Sequence, residues 1–216
     1  MILGIVGSTG FIGQYLSKEL SNKFKLIEIS LRDSEWRDKL SSCDIIINLV
    51  GKAHDHNRIA TKDDFYYANL ELTKQLFEVF KENASQLFIH ISSIAAIEEI
   101  ESEIPLNEDS KCNSSSWYGN SKREAELWLQ GQQINENKKL IILRPPMIHG
   151  PNDKGNLGLL FKIISKGIPY PLGKFDNERS FISIYNFQYF LEEIINKRFE
   201  LNNGIYNLAD DETVST

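Results

Sequence analysis

The chain opens on short apolar runs that alternate with amphipathic stretches. Ile2 to Val6 is continuously apolar. Phe11 to Leu20 then carries Phe11, Ile12, Tyr15, Leu16 and Leu20, the spacing of one helix face. The alternation repeats. Lys25 to Leu31 predicts a strand, Trp36 to Leu40 a short helix, and Asp44 to Val50 a strand apolar enough for burial on both faces. Thr61 to Glu82 predicts one long helix, Gln86 to Ile91 a buried strand, Tyr118 to Asn135 a helix and Lys139 to Leu143 a strand. Strands alternating with helices predict an α/β fold with a doubly wound parallel sheet.

After Arg144 the pattern changes. Pro145, Pro146, Gly150, Pro151, Gly155, Gly158, Gly167, Pro169, Pro171 and Gly173 break the alternation. One helix is expected at Leu157 to Lys166, with extended pieces near Tyr170 and over Ser180 to Ser183. Phe187 to Lys197 is helical again, and Gly204 to Ala209 reads as a strand returning to the sheet. The expected organisation is therefore a nucleotide-binding domain over 1–145, a small lobe segment over 146–185 and a return unit over 186–216. Leu208 to Thr216 looks like the approach to a further helix, with Ser215 or Thr216 as its N-cap, so part of the natural C-terminus is expected to lie beyond. The acid-rich stretch Ile97 to Asp109 reads as a solvated surface loop.

Composition narrows the classes. The 216 residues carry a formal net charge of −6. An acidic chain is poorly suited to neutralising nucleic-acid phosphates. No apolar run approaches the roughly 18 residues that span a bilayer. The opening apolar run reads as a strand and has no basic leader before it. Cys43 and Cys112 lack metal-ligand spacing and are expected as reduced thiols in a cytoplasmic protein. His54 and His56 stand two apart with no third ligand, so no metal is expected. His90, inside a buried strand, is expected as a hydrogen-bonded core residue.

Two constellations carry chemistry. Gly7, Gly10 and Gly13 follow the first strand and lead into a helix. Gly7 permits the tight turn, Gly10 lets a pyrophosphate approach the backbone, and Gly13 lets helix and strand pack closely. Tyr118 and Lys122 stand at i and i+4 on one helix face. An ammonium beside a phenol favours the phenolate, which suits proton exchange with a carbonyl or alcohol oxygen. Ser93 lies just past the end of a parallel strand, where such sheets bind ligands. Its hydroxyl is placed to bond the same substrate oxygen.

Together these residues resemble the extended short-chain dehydrogenase/reductases, the NAD-dependent epimerase/dehydratase family, over essentially the whole chain. The order Gly-x-x-Gly-x-x-Gly, Ser93, Tyr118-x-x-x-Lys122 and Arg144-Pro-Pro-x-x-x-Gly-Pro151 carries the likeness. The resemblance implies a Rossmann-type sheet with a small C-terminal substrate lobe. It implies Ser93 as the catalytic hydroxyl, Tyr118 as general acid/base, and Lys122 as the residue that lowers the Tyr118 pKa and holds the nicotinamide ribose. The cofactor would be held by Gly7, Thr9, Gly10, Phe11, Ile12, Gly13, Arg32, Leu49, Val50, Gly51, Asn69, Ile91, Tyr118, Lys122 and Pro146. Asn69 matches the helix asparagine that supports the active-site backbone. The segments around Arg144 to Asn156 and Asn177 to Ile184 resemble the nucleotide-sugar 4-epimerases and 4-keto reductases of bacterial polysaccharide synthesis. Beside Ser93, Asn156 would then touch a nucleotide-sugar, UDP-linked by that likeness, and Arg179 would pair with its diphosphate. His149 and Trp117 would border the pocket. A homodimer through the two long helices is a further implication.

The chain also departs from the family pattern. Where NAD-binding members carry an acid at the end of the second strand, this chain has Ser30, and Arg32 follows. That favours NADP over NAD. A strand and helix that the family has after the second strand are missing, which trims the adenosine side. Ile94 and Ala95 occupy the positions of the Asp-Glu pair of 4,6-dehydratases, which excludes water elimination. The expected activity is a 4-keto reductase on a nucleotide-linked hexose. The alternative on the same residues is a UDP-hexose 4-epimerase. The alternative of another class is a non-catalytic dinucleotide sensor, disfavoured because Ser93, Tyr118 and Lys122 are all present.

Overall fold

A computed structural model describes residues 1–53, 59–98, 100–151, 156–167 and 177–214. Six parallel strands form the main sheet in the order β2-β1-β3-β4-β5-β8: β1 Ile2–Val6, β2 Lys25–Ile29, β3 Ile45–Asn48, β4 Leu87–Ile91, β5 Lys139–Arg144 and β8 Gly204–Asn207. Each crossover is helical: α1 Phe11–Leu20, α2 Trp36–Ser41, α3 Lys62–Tyr66 with α4 Leu72–Glu82, α5 Trp117–Gln130, and α7 Ile184–Asn196 before β8. The doubly wound sheet read from the sequence is present.

The period of two along each strand decides the layers. Leu3, Ile5, Ile45, Ile47, Ile89, Ile91, Ile141 and Leu143 face one side, where Leu16 and Leu20 of α1 and Phe187, Leu191 and Ile195 of α7 cover them. Val6, Ile29, Ile46, Phe88 and Ile142 face the other, under Trp36, Leu40, Leu76, Phe77, Phe80 and Leu129 of α2, α4 and α5. The central strands β3 and β4 are fully buried, as their unbroken apolarity requires.

Several elements differ from the expectation. The helix expected as one piece from Thr61 to Glu82 is interrupted by a π-helical turn at Tyr67–Glu71. Its start holds: Thr61 accepts from the Asp64 amide while the Asp64 carboxylate accepts from the Thr61 amide, a capping box. α5 begins one residue early, capped by Ser116, and ends at Gln130 with Gly131 beyond it, rather than reaching Asn135. α7 starts at Ile184 because Ser183 caps it through the Asn186 amide. The sequence reading missed β6 Met147–His149, which pairs in parallel with β7 Phe181–Ser183. The acidic stretch is not wholly solvated, since Glu108 accepts the Asn207 amide at 2.7 Å. Val214 forms a two-bond bridge with Arg179. The extended piece near Tyr170, His54 and His56, and the N-cap expected at Ser215 or Thr216 fall outside the described residues.

β2 is an edge strand, as the shortened segment after it implies. Beside it runs a groove of about 650 Å³ lined by Gln14, Ser17, Lys18 and Ser21 of α1 and by Lys25, Leu26 and Glu28. It lies on the flank that a further strand and helix would cover. No helix among the described residues is long and apolar enough to cross a membrane, and none of their His, Cys, Asp or Glu side chains gather as a metal cluster. Cys43 and Cys112 are free thiols.

Candidate active site

The site begins at the turn after β1. Gly7 has φ +91°, a conformation that side chains rarely adopt. A Cβ on Gly7 would lie 3.1 Å from the Leu49 carbonyl carbon and 3.2 Å from the Val50 amide, so this turn backs directly onto the chain leaving β3. A Cβ on Gly13 would stand 2.3 Å from the Gly7 carbonyl oxygen. Only glycine lets α1 start this close to the turn. At Gly10, by contrast, the nearest atom is the Gly7 oxygen at 3.6 Å, an ordinary contact. Gly10 caps α1 with no side-chain bond, and no acid occupies the first turn. A ten-residue helix thus presents its uncapped, positively polarised end, with Phe11 and Ile12 in its first turn. These features fit the pyrophosphate of a dinucleotide. Phe11 also reaches toward the end of β6, its ring 3.8 Å from where a Gly150 Cβ would be.

A buried polar cluster leads from there into the sheet. The Asn48 Oδ1 accepts the Val50 amide at 3.0 Å, which turns its Nδ2 toward Thr73 at 3.2 Å and His90 Nδ1 at 3.1 Å. His90 Nδ1 must therefore accept. The ring is neutral, and burial, reinforced by the charge of Lys122, holds its pKa well below the ordinary histidine value. The expectation of a hydrogen-bonded core histidine holds. Asn69 sits in the π-helical turn and grips the Lys52 backbone twice, accepting from its amide at 2.8 Å and donating to its carbonyl at 3.1 Å. It also donates to Ser121 Oγ at 2.8 Å, and Ser121 donates to the Tyr118 carbonyl at 2.8 Å. The extra residue of a π turn is what aims Asn69 inward here; such turns recur at functional sites.

Ser93, Tyr118 and Lys122 are brought to one place by close backbone contacts. Ile94 donates to the Pro145 carbonyl at 3.0 Å, which seats the Ser93 turn beside Pro146 and the end of β5. A Cβ on Gly119 would lie 2.2 Å from the Ala95 carbonyl oxygen, so the first turn of α5 presses directly on the turn after Ser93. Lys122 is 4% exposed, donates to the Ile91 carbonyl at 2.8 Å, and lies 2.9 Å from the position of a Gly51 Cβ. Burial pulls its pKa down to about 8, against an upward pull from Glu126. The run Gly7, Leu49 to Gly51, Lys122 and Ile91 is thus continuous.

The two adjacent serines play different parts. Ser92 is 3% exposed and spends its hydroxyl on Glu126 Oε1 at 2.5 Å. Ser93 is half-buried at the strand end and accepts the Ala95 amide at 3.2 Å, which leaves its own proton to donate. The choice of Ser93 over Ser92 therefore has a structural reason. Glu126 also accepts from Arg144 through Nε at 2.8 Å and Nη2 at 2.6 Å, and from Arg123 at 3.1 Å. Both Glu126 and Arg144 are essentially inaccessible.

Other expected residues stand further out. Arg32 is exposed just past β2, its amide donating to Ser30 Oγ at 3.3 Å. Arg179 is exposed, two residues before β7, and bridges Val214. Asn156 begins α6 Asn156–Ile164, and its side chain lies outside the described residues. Trp117 is half-exposed and tilts against Phe65 at 6.3 Å, and His149 meets Phe181 edge-on. Sequence reading gave no part to Gly119, Ser121 or Glu126, and it did not foresee the buried contacts of Asn48 and Arg144. The signal for Glu126 was present: it stands four residues past Lys122 on the same helix face.

Comparison with known proteins places this geometry. The model of the NAD dependent epimerase/dehydratase family matches residues 3–209. A UDP-glucose 4-epimerase of Vibrio cholerae is 26% identical over 239 residues, spanning 98% of this chain and 71% of that protein. The structure of a UDP-glucuronic acid 4-epimerase from Bacillus cereus with NAD superposes with TM-score 0.83 at 20% identity, covering 100% of this chain and 80% of that one. RMD from Pseudomonas aeruginosa with NADPH gives 0.79, also at 20% identity, over 99% and 80%. At such identities the structural likeness is one of fold.

Proposed function

The chain belongs to the NAD dependent epimerase/dehydratase family, and we propose that it is an NAD(P)-dependent oxidoreductase acting at C4 of a UDP-linked hexose, a 4-keto reductase in the supply of surface-polysaccharide precursors. The observation that supports this reading is that the first turn of α5, at Gly119 beside Tyr118, presses on the turn after Ser93, while buried Lys122 reaches Gly51, next to the chain that backs the glycine turn before the uncapped α1. Gly7, Thr9, Gly10, Phe11, Ile12 and Gly13 would hold the pyrophosphate. Leu49, Val50, Gly51, Asn69, Ile91 and Pro146 would line the nicotinamide end. The nicotinamide, when bound, supplies hydride exchange with the sugar carbon.

The chain's own groups manage the proton. Ser93 would donate its hydroxyl proton to the C4 oxygen, a proton left available while its oxygen accepts the Ala95 amide. Tyr118 gives or takes the proton on that oxygen. Lys122, fixed by the Ile91 carbonyl, places its ammonium one helical turn from Tyr118, where positive charge stabilises the phenolate. Arg179 would pair with the diphosphate, and its planar fork suits phosphate oxygens. Asn156 would border the sugar. Arg32, with Ser30 in place of an acid, would meet a 2′-phosphate, which favours NADPH.

The edge position of β2 supports an exchangeable cofactor and hence a reductase. A second reading, UDP-hexose 4-epimerase, is favoured by the likeness to the Vibrio cholerae 4-epimerase. Both are tested together with purified protein. Stoichiometric NADPH oxidation with a UDP-4-keto-hexose supports the reductase, while interconversion of UDP-glucose and UDP-galactose without net oxidation supports the epimerase. In either assay Tyr118→Phe is expected to cost about 10²–10⁴-fold in turnover. An unchanged rate in that variant would overturn both readings.

A further inference from the structure

Beneath the proton-transfer pair lies the buried charge cluster of Glu126, Arg144 and Arg123, bonded to Ser92. Its members come from α5, β5 and the end of β4, and it joins those three elements directly behind Ser93 and Lys122. Glu126 is fully buried and accepts four hydrogen bonds: from Ser92, twice from Arg144 and once from Arg123. It sits one helical turn from Lys122 and two from Tyr118, on the same face of α5. Two of its three donor residues are tied to the sheet by backbone bonds: Ser92 donates its amide to Leu143, and Arg144 receives the Leu208 amide on its carbonyl.

We propose that Glu126 is a positioning residue for proton transfer: it holds Ser92 and Arg144 so that the strand ends frame Ser93, and its charge keeps Lys122 protonated beside Tyr118. The proposal rests on the reading of Tyr118 and Lys122 as the proton-transfer pair. A buried ion pair that only fixed the fold would be replaceable by apolar groups of similar volume at little cost. One that sets the state of Lys122 is not. The groups facing Lys122 define the balance. From β4 comes His90, which is neutral; from the π-helical turn comes the uncharged Asn69, whose Oδ1 meets the same Gly51 position as the Lys122 ammonium; from α5 comes Glu126, with Tyr118 one turn the other way. Glu126 is the anion that supports the Lys122 charge against burial, and Lys122 titrates at about 8 with that support. Arg144 and Arg123 pair with the same carboxylate, at 2.6 and 3.1 Å.

The test follows the Lys122 ammonium directly, by ¹³C NMR of protein labelled at lysine Cε. The Lys122 resonance is assigned as the one lost in Lys122→Arg. Glu126→Gln alone leaves Arg144 unpaired and risks unfolding, so Glu126→Gln is also combined with Arg144→Met, which removes the pair as a unit. Expected is a cooperatively folded double variant in which Lys122 releases its proton about one pH unit lower than in the wild type, a roughly tenfold loss of proton affinity. The alkaline limb of the pH–rate profile should move down with it. An unchanged Lys122 midpoint in the folded double variant would overturn the proposal. A shifted midpoint in a protein whose wild type shows no hydride transfer with either nicotinamide would instead count against the proposed function and leave this inference standing.

Discussion

Lys122 shows how one residue ties stability to chemistry. Its ammonium is nearly inaccessible and donates to the Ile91 carbonyl, so the charged form is held at a cost to folding. The folded pKa of about 8 lies below the ordinary lysine value of 10.5. The unfolded chain therefore binds more protons between those pH values, and stability rises as pH rises through that window. Below pH 8 the full cost is present. Lys122→Met is thus expected to abolish turnover while raising stability at pH 7 by about 2 kcal/mol. Urea unfolding should show this advantage fading as pH rises from 8 toward 10.5. A variant less stable than the wild type at pH 7 would argue that the Ile91 bond outweighs the burial of charge. Cys43 makes a smaller point of the same kind. Burial, with help from Asp44, pushes its thiol up to about 11, so alkylation of native protein at pH 8 should spare Cys43 and label only Cys112.

The helices and turns matter for how closely they approach. α5 reaches the Ser93 turn because Gly119 lacks a side chain: an added Cβ would meet the Ala95 oxygen at 2.2 Å and Ser114 Oγ at 2.0 Å. The serine hydroxyl can swing away, but a backbone carbonyl cannot. Gly119→Ala should push the first turn of α5 outward and carry Tyr118 with it. The expected cost is about 1–3 kcal/mol in stability and roughly 10²-fold in turnover, the scale of an ångström-sized misplacement. Thermal melts and initial rates check the two parts separately. The helices themselves were legible from their apolar spacing, α1 to the residue. The π-helical turn was not, because the residue it turns inward is the polar Asn69, whose partners Lys52 and Ser121 lie far from it in sequence.

At the scale of the whole molecule, sheet order bears on the proposed cofactor site. Among the described residues β2 is the last strand on its side of the sheet, and Ser30 and Arg32 are exposed just past it. Recognition then rests on few groups. Arg32→Ser is expected to weaken NADPH about tenfold, the scale of one lost charge-assisted bond, and to leave NADH unchanged. Quenching or enhancement of nicotinamide fluorescence on binding measures both. Equal loss for the two cofactors would mean that Arg32 does not read the 2′-phosphate.

The sequence by itself determined the alternation of strands and helices, the glycine turn, and the side-chain types at Ser93, Tyr118 and Lys122. These are short-range properties: side-chain period, turn chemistry and spacing within one helix are written in neighbouring residues. Tertiary structure alone decided which of two adjacent serines is buried on Glu126, that Gly119 is pinned by the Ala95 carbonyl, that Asn48 fixes the tautomer of His90, and that Arg144 closes the charge cluster behind the site. Each of these is a contact between distant segments, such as Ser92 with Glu126 across 34 residues. Packing density and burial settle such contacts, and no local pattern encodes them.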